Sequence, residues 1–86
     1  MTQVLVYTTN ACAYCNATKS LLKKKKITFE ELDVSGDFAK RDWLVEKTGQ
    51  RTVPQIFIGG VSIGGYAELS ALERAGKLDG MLAAAS

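Results

Sequence analysis

Apolar and polar positions along this chain change period several times, and each change marks an element. From Gln3 to Thr8 the run Q-V-L-V-Y-T is short, apolar and β-branched, which predicts a buried strand. Thr8, Thr9 and Asn10 then supply turn and cap chemistry ahead of a helix predicted from about Cys12 to Lys25. Within it Cys15, Thr18 and Leu22 fall at i, i+3 and i+7 and share one inward face. Lys23 to Lys26 close that helix, where cations complement the helix dipole. They read as a solvated helix end rather than a docking patch for an acidic partner.

Ile27 to Asp33 alternates well enough for a second strand, punctuated by Ser35, Gly36 and Asp37. A second helix is expected from Phe38 to Thr48, stopping at Gly49, with Phe38, Ala39, Trp43, Leu44 and Val45 as a broad apolar stripe. Gln55–Ile58 and Val61–Ile63 are short strands around Gly59-Gly60, a strong hairpin signal because primed turns need positive φ. Gly64-Gly65 is expected to break the second of them. A third helix follows from Tyr66 to Ala75, ending at Gly76, and a final helical turn covers about Leu78 to Leu82. The order β-α-β-α-β-β-α predicts an α/β domain spanning residues 1–86. Its first half is a right-handed βαβ unit, and its four-stranded mixed sheet carries helices on both faces, a thioredoxin-like fold.

Composition narrows the possible chemistry. At 86 residues the chain buries only about 60% of its unfolded surface, so its core has to be regular. Eleven basic residues against nine acidic ones give a net charge of +2, too little to make nucleic acid or membrane the main partner. The chain has no histidine, which removes Ser-His-Asp and Cys-His catalysis and imidazole metal sites. Two cysteines are too few for a four-cysteine zinc site or a disulfide-stapled secreted scaffold. Neither a leader peptide nor a membrane span is visible, so the expected setting is the cytoplasm and the expected state a monomer.

Chemistry concentrates at Cys12-Ala13-Tyr14-Cys15. The two cysteines sit where a strand passes into a helix within a βαβ unit, the context that makes C-x-x-C a redox motif. Unpaired N–H groups at the helix start stabilise a thiolate, so Cys12 is the expected nucleophile. Cys15, about 60° around the helix, is placed inward as the resolving thiol. Pro54 is the only proline and opens a strand. With C-x-x-C upstream, Thr52-Val53-Pro54 suggests a cis-proline loop packed against the cysteines, its Val53 backbone free to pair with a cysteinyl substrate.

C-A-Y-C, T-V-P-Q-I-F-I and I-G-G, at these spacings, resemble a glutaredoxin over essentially the whole chain, Val4 to Leu82. Thioredoxin fits less well, because its W-C-G-P-C signature is absent. The resemblance implies glutathione as the reducing co-substrate, bound across the Cys12 face. Its cysteine would pair beside Pro54 with Val53, Thr52 would belong to the same loop, and Tyr14 would line the groove. Its γ-glutamyl end would rest on Gly65, Tyr66 and Ala67, and its glycyl carboxylate would meet Arg41. Arg51 reads as a surface charge, with a ligand role as its alternative.

The chain departs from the family pattern at several positions. Ala13 stands where proline is usual and Thr9 where lysine is usual. Tyr66-Ala67 replaces cysteine or serine followed by aspartate, removing a charge-assisted contact of about 1.5–3 kcal/mol unless Glu68 supplies it. The implied activity is reduction of protein disulfides and glutathione mixed disulfides. The alternative is a dimeric carrier of a [2Fe–2S] cluster, with Cys12 of each chain and two glutathiones as its four ligands. A non-catalytic interaction module is disfavoured by the presence of both cysteines.

Overall fold

The computed structural model describes residues 3–10 and 12–84; Met1, Thr2, Ala11, Ala85 and Ser86 lie outside them. In chain order the elements are β1 (Val4–Thr8), α1 (Ala13–Lys24), β2 (Glu30–Asp33), α2 (Phe38–Thr48), β3 (Gln55–Ile58), β4 (Val61–Gly64), α3 (Tyr66–Arg74) and α4 (Leu78–Ala84). The sheet order is β2-β1-β3-β4. β1 runs parallel to β2 with Tyr7 opposite Leu32, and antiparallel to β3 with Tyr7 opposite Gln55. This is the expected mixed sheet of the thioredoxin-like fold.

Period-2 alternation divides the core between the two faces of the sheet. Val4, Val6, Ile56 and Ile58 point to one side, where Leu22 of α1, Leu69 of α3 and Leu78 of α4 close over them. Each fully buried leucine contributes about 1.5–3 kcal/mol relative to leaving it exposed. Tyr7 and Phe57 point to the other side, against Leu44 of α2 and the half-buried Trp43. Tyr7 and Phe57 meet edge to face with ring centroids 5.6 Å apart. Helices thus cover both faces, three on one and α2 alone on the other.

Several boundaries and exposures differ from the sequence reading. β2 begins at Glu30 rather than Ile27. Its register sets Glu30 opposite Leu5, so Ile27 and Thr28 run past the start of β1, and Ile27 and Phe29 pack into the core instead. Gly64 does not break β4 but ends it, paired with Ile56 through a bulge and holding φ 112°. That positive φ is what calls for glycine, and a Cβ there would also displace the Glu68 carboxylate. The final turn is a full helix, α4. On α2 only Leu44 is buried, and Phe38 is 73% exposed. Of the four lysines closing α1, Lys25 is not simply solvated: its Nζ pairs with Glu73 at 3.0 Å and Asp79 at 3.1 Å, tying α1 to α3 and α4.

The edge strand is held by a polar bridge. Glu31 Oε2 accepts from the Thr8 hydroxyl at 2.9 Å and from Lys19 Nζ at 3.0 Å, linking β2 to β1 and α1. The Lys19 ammonium, and then the Thr8 hydroxyl, hold the Glu31 carboxyl below its ordinary 4.5. A carboxyl depressed on folding stabilises the fold above its unfolded value, and that stabilisation is lost as pH falls through the folded value. Glu31→Gln is therefore expected to lower the thermal midpoint by a few degrees at most at neutral pH. Paired melts should show the gap closing below about pH 4.5. A gap of unchanged size in acid would show that the bridge is not ionic.

Candidate active site

The site is assembled where the end of β1, the start of α1 and the segment before β3 converge. Cys12 is the N-cap of α1, in extended conformation, and the N–H of Cys15 donates to its sulfur at 3.1 Å. No acidic residue stands in the first turn of α1 to oppose a negative charge on that sulfur. A reduced Cys12 would thus have its thiolate stabilised by the helix N-terminus, the condition that makes a cysteine reactive at neutral pH. The two sulfurs are paired as a disulfide, with Cα atoms 5.2 Å apart. Cys15 is 1% exposed and Cys12 half-buried, so an incoming thiol reaches Cys12 first.

The approach to Cys12 is fixed from both sides. Upstream, the Asn10 N–H donates to Ser35 Oγ at 2.7 Å, and that hydroxyl donates to Asp33 at 2.6 Å. The Ser35 hydroxyl and then its backbone N–H hold the Asp33 carboxyl below its ordinary 3.8. Opposite, the Val53–Pro54 peptide bond is cis, as expected, and the Val53 carbonyl oxygen lies 3.8 Å from Cys12 Sγ.

Beside this loop runs a groove of about 290 Å³ lined by Tyr14, Thr52, Val53, Pro54, Gly65, Tyr66, Ala67 and Glu68. All the expected binding residues except Arg41 meet there. Tyr14 is 67% exposed and stacks on Tyr66, with centroids 6.1 Å apart and planes at 27°. Arg41 instead lines an adjoining pocket of about 320 Å³ with Phe38, Asp42, Gln50 and Arg51, which Thr52 and Val53 share with the groove. Arg51, read as a surface charge, therefore stands in the same pocket as Arg41.

Gln50 was missed as a lining residue, and Glu68, named as a possible replacement for the missing aspartate, does line the groove. Glu68 carried a signal: it is the third residue of α3, the spacing at which a carboxylate folds back on the helix start. Its Oε1 accepts from the Gly65 N–H at 2.9 Å. That oxygen caps α3, so a ligand contact in place of the missing aspartate would fall to the other carboxylate oxygen. Among the described residues no group of three or more His, Cys, Asp or Glu gathers to hold a metal. A [2Fe–2S] centre would have to draw its ligands from two chains and from glutathione.

A model of the glutaredoxin family matches residues 4–63. The chain belongs to the glutaredoxin family. It is 48% identical over 84 residues to a glutaredoxin of Pseudomonas aeruginosa, covering 98% of this chain and all of that one. It is 44% identical over 82 residues to glutaredoxin 3 of Escherichia coli K12, covering 95% and 99% respectively. Among solved structures, the buckwheat glutaredoxin–glutathione complex superposes with a TM-score of 0.92 at 32% identity, over 98% of this chain and 79% of that one. A glutaredoxin from Brucella melitensis superposes at 0.84 with 45% identity, over 93% and 87%. With its dithiol pair intact, the chain is a thiol–disulfide oxidoreductase of the glutaredoxin type.

Proposed function

We propose that this glutaredoxin uses glutathione to reduce protein disulfides and glutathione mixed disulfides, with Cys12 as nucleophile and Cys15 as resolving thiol. The observation that carries the reading is the position of Cys12: a helix N-cap whose sulfur faces the Val53 carbonyl at the head of the groove. In the one-cysteine route the Cys12 thiolate attacks the glutathione sulfur of a mixed disulfide and the substrate leaves as its thiolate. A second glutathione then attacks the Cys12 adduct and departs as glutathione disulfide, restoring the Cys12 thiolate. In the two-cysteine route Cys12 attacks a protein disulfide, Cys15 displaces the bound substrate by closing the Cys12–Cys15 bridge, and two glutathiones then reduce that bridge and leave as glutathione disulfide. Each step needs a sulfur that is both nucleophile and leaving group, which a helix-stabilised thiolate supplies.

Glutathione is assigned to the groove on three grounds. The groove is of a size for a small peptide, it opens on the Val53 backbone, and it ends at the first turn of α3, where the helix start favours a carboxylate. Tyr14, Thr52, Val53, Pro54, Gly65, Tyr66 and Ala67 form its walls, and Arg41 in the adjoining pocket takes the glycyl carboxylate. The buckwheat relative, solved as a glutathione complex, supports this assignment. The enzyme works as a cytoplasmic monomer on glutathionylated and disulfide-bonded proteins. Incubating Cys15→Ser with glutathione disulfide should leave one glutathionyl group on Cys12, read by intact mass and peptide mapping. An unmodified Cys12 under those conditions would remove glutathione from the account.

A further inference from the structure

We propose that Gln55 is a positioning residue for this reaction: its buried amide holds the Gln50–Val53 segment so that the Val53 backbone stays aimed at Cys12. The inference rests on the reading that this backbone pairs with the substrate's cysteine.

Gln55 is the first residue of β3 and is 0% exposed. Its Nε2 donates to the Thr52 carbonyl at 2.8 Å and to Gln50 Oε1 at 3.0 Å, with Thr52 Oγ1 at 3.4 Å. Two acceptors face that end of the side chain, so it has to be the amide nitrogen, since the reverse orientation sets carbonyl against carbonyl. The other end, Oε1, is buried with no partner among the described residues. A shape-matched apolar side chain would fill the same space without the orphaned Oε1, but would strip the Thr52 carbonyl and Gln50 Oε1 of their donor. An amide retained at that cost is explained by what its nitrogen holds.

What it holds is one continuous stretch. The Gln50 N–H donates to Thr48 Oγ1 at 3.1 Å, and that hydroxyl donates to the Leu44 carbonyl at 2.7 Å, so the segment is tied to the end of α2. Gln55 ties the same segment to β3 at Thr52, one residue before the carbonyl that faces Cys12. The catalytic loop is therefore braced at both ends, and Gln55 supplies the brace nearest the sulfur.

The test is Gln55→Met, with Gln55→Glu beside it. In Gln55→Met, amide hydrogen exchange should quicken at Gln50, the N–H of this segment with an acceptor, while β1 and β3 keep their protection. KM for a glutathione–peptide mixed disulfide should rise about tenfold with kcat within about twofold, because a loop out of position weakens substrate capture. A buried glutamate favours its neutral form, which retains one donor toward Thr52. The KM of Gln55→Glu, relative to wild type, should therefore be near one at about pH 6 and approach the Gln55→Met ratio by about pH 9.

Ionisable groups near the amide include Tyr7, opposite it on β1, Arg41, Asp42 and Arg51, which line the pocket beyond Gln50 and Thr52, and Glu68, which shares a pocket with Gln50 on the β4 side. Burial, and then Glu30, push the Tyr7 hydroxyl up from its ordinary 10.0, away from that window. Unchanged exchange at Gln50 in Gln55→Met, or exchange quickened equally across β1 and β3, would overturn the proposal. So would a Gln55→Glu KM ratio that is flat with pH. If wild type itself fails to turn over glutathione substrates, the functional reading falls, and the exchange experiment still decides the brace.

Discussion

Cys12→Ser is expected to bring turnover of both glutathione mixed disulfides and protein disulfides down to the uncatalysed rate, a loss of at least about 10³-fold. The reason is chemical rather than structural. Serine fits the N-cap position as well as cysteine does, so α1 should form unchanged and the thermal midpoint should hold close to the reduced wild type. What disappears is the sulfur that faces the carbonyl of Val53, a residue of the groove wall. Cys15 cannot stand in for it, because at 1% exposure no substrate sulfur reaches it in line. Steady-state rates with both substrate types, taken with a melt, check this. Turnover well above background would mean that the nucleophile has been misassigned.

Cys15→Ser divides the two routes. Reduction of a protein disulfide should fall by about 10²-fold or more, because the resolving attack loses the effective concentration of a thiol already held beside the mixed disulfide. The Cα atoms of the pair stand 5.2 Å apart, so in the wild type resolution needs no rearrangement of α1. A long-lived covalent complex between Cys12 and the protein substrate should accumulate in the variant and be visible on a non-reducing gel. Undiminished protein-disulfide reduction without such a complex would assign the resolving step to glutathione.

The parts of this molecule that were legible in its sequence are those where local chemistry and tertiary packing agree. The Gly59-Gly60 hairpin is one, since φ of 58° and 84° are what a two-residue primed turn demands. Gly49, left-handed at the end of α2, is another. The inward face Cys15–Thr18–Leu22 followed from helical spacing, and all three are buried. Readings missed where a long-range partner decides the outcome. β2 starts late because its register with β1 carries Ile27 and Thr28 past Val4, the first residue of β1, and Phe38 is exposed because it lies off the buried side of α2.

The candidate site divides in the same way. Cys12, Cys15 and the Val53–Pro54 loop announce themselves as motifs, and the family resemblance carried the groove from Tyr14 to Ala67. Nothing local marks Arg51 as a neighbour of Arg41; only the fold of α2 onto the loop brings both to one pocket. Glu68 was readable as a helix cap from its spacing, and its Oε1 does accept from the Gly65 N–H.

The most direct test of the account is turnover of a glutathione mixed disulfide, coupled to glutathione reductase, for wild type and Cys15→Ser side by side. Both should turn over, with Cys15→Ser at a rate comparable to wild type, because Cys12 and glutathione suffice for that route. If neither exceeds the uncatalysed rate, glutathione is not the working thiol of this enzyme.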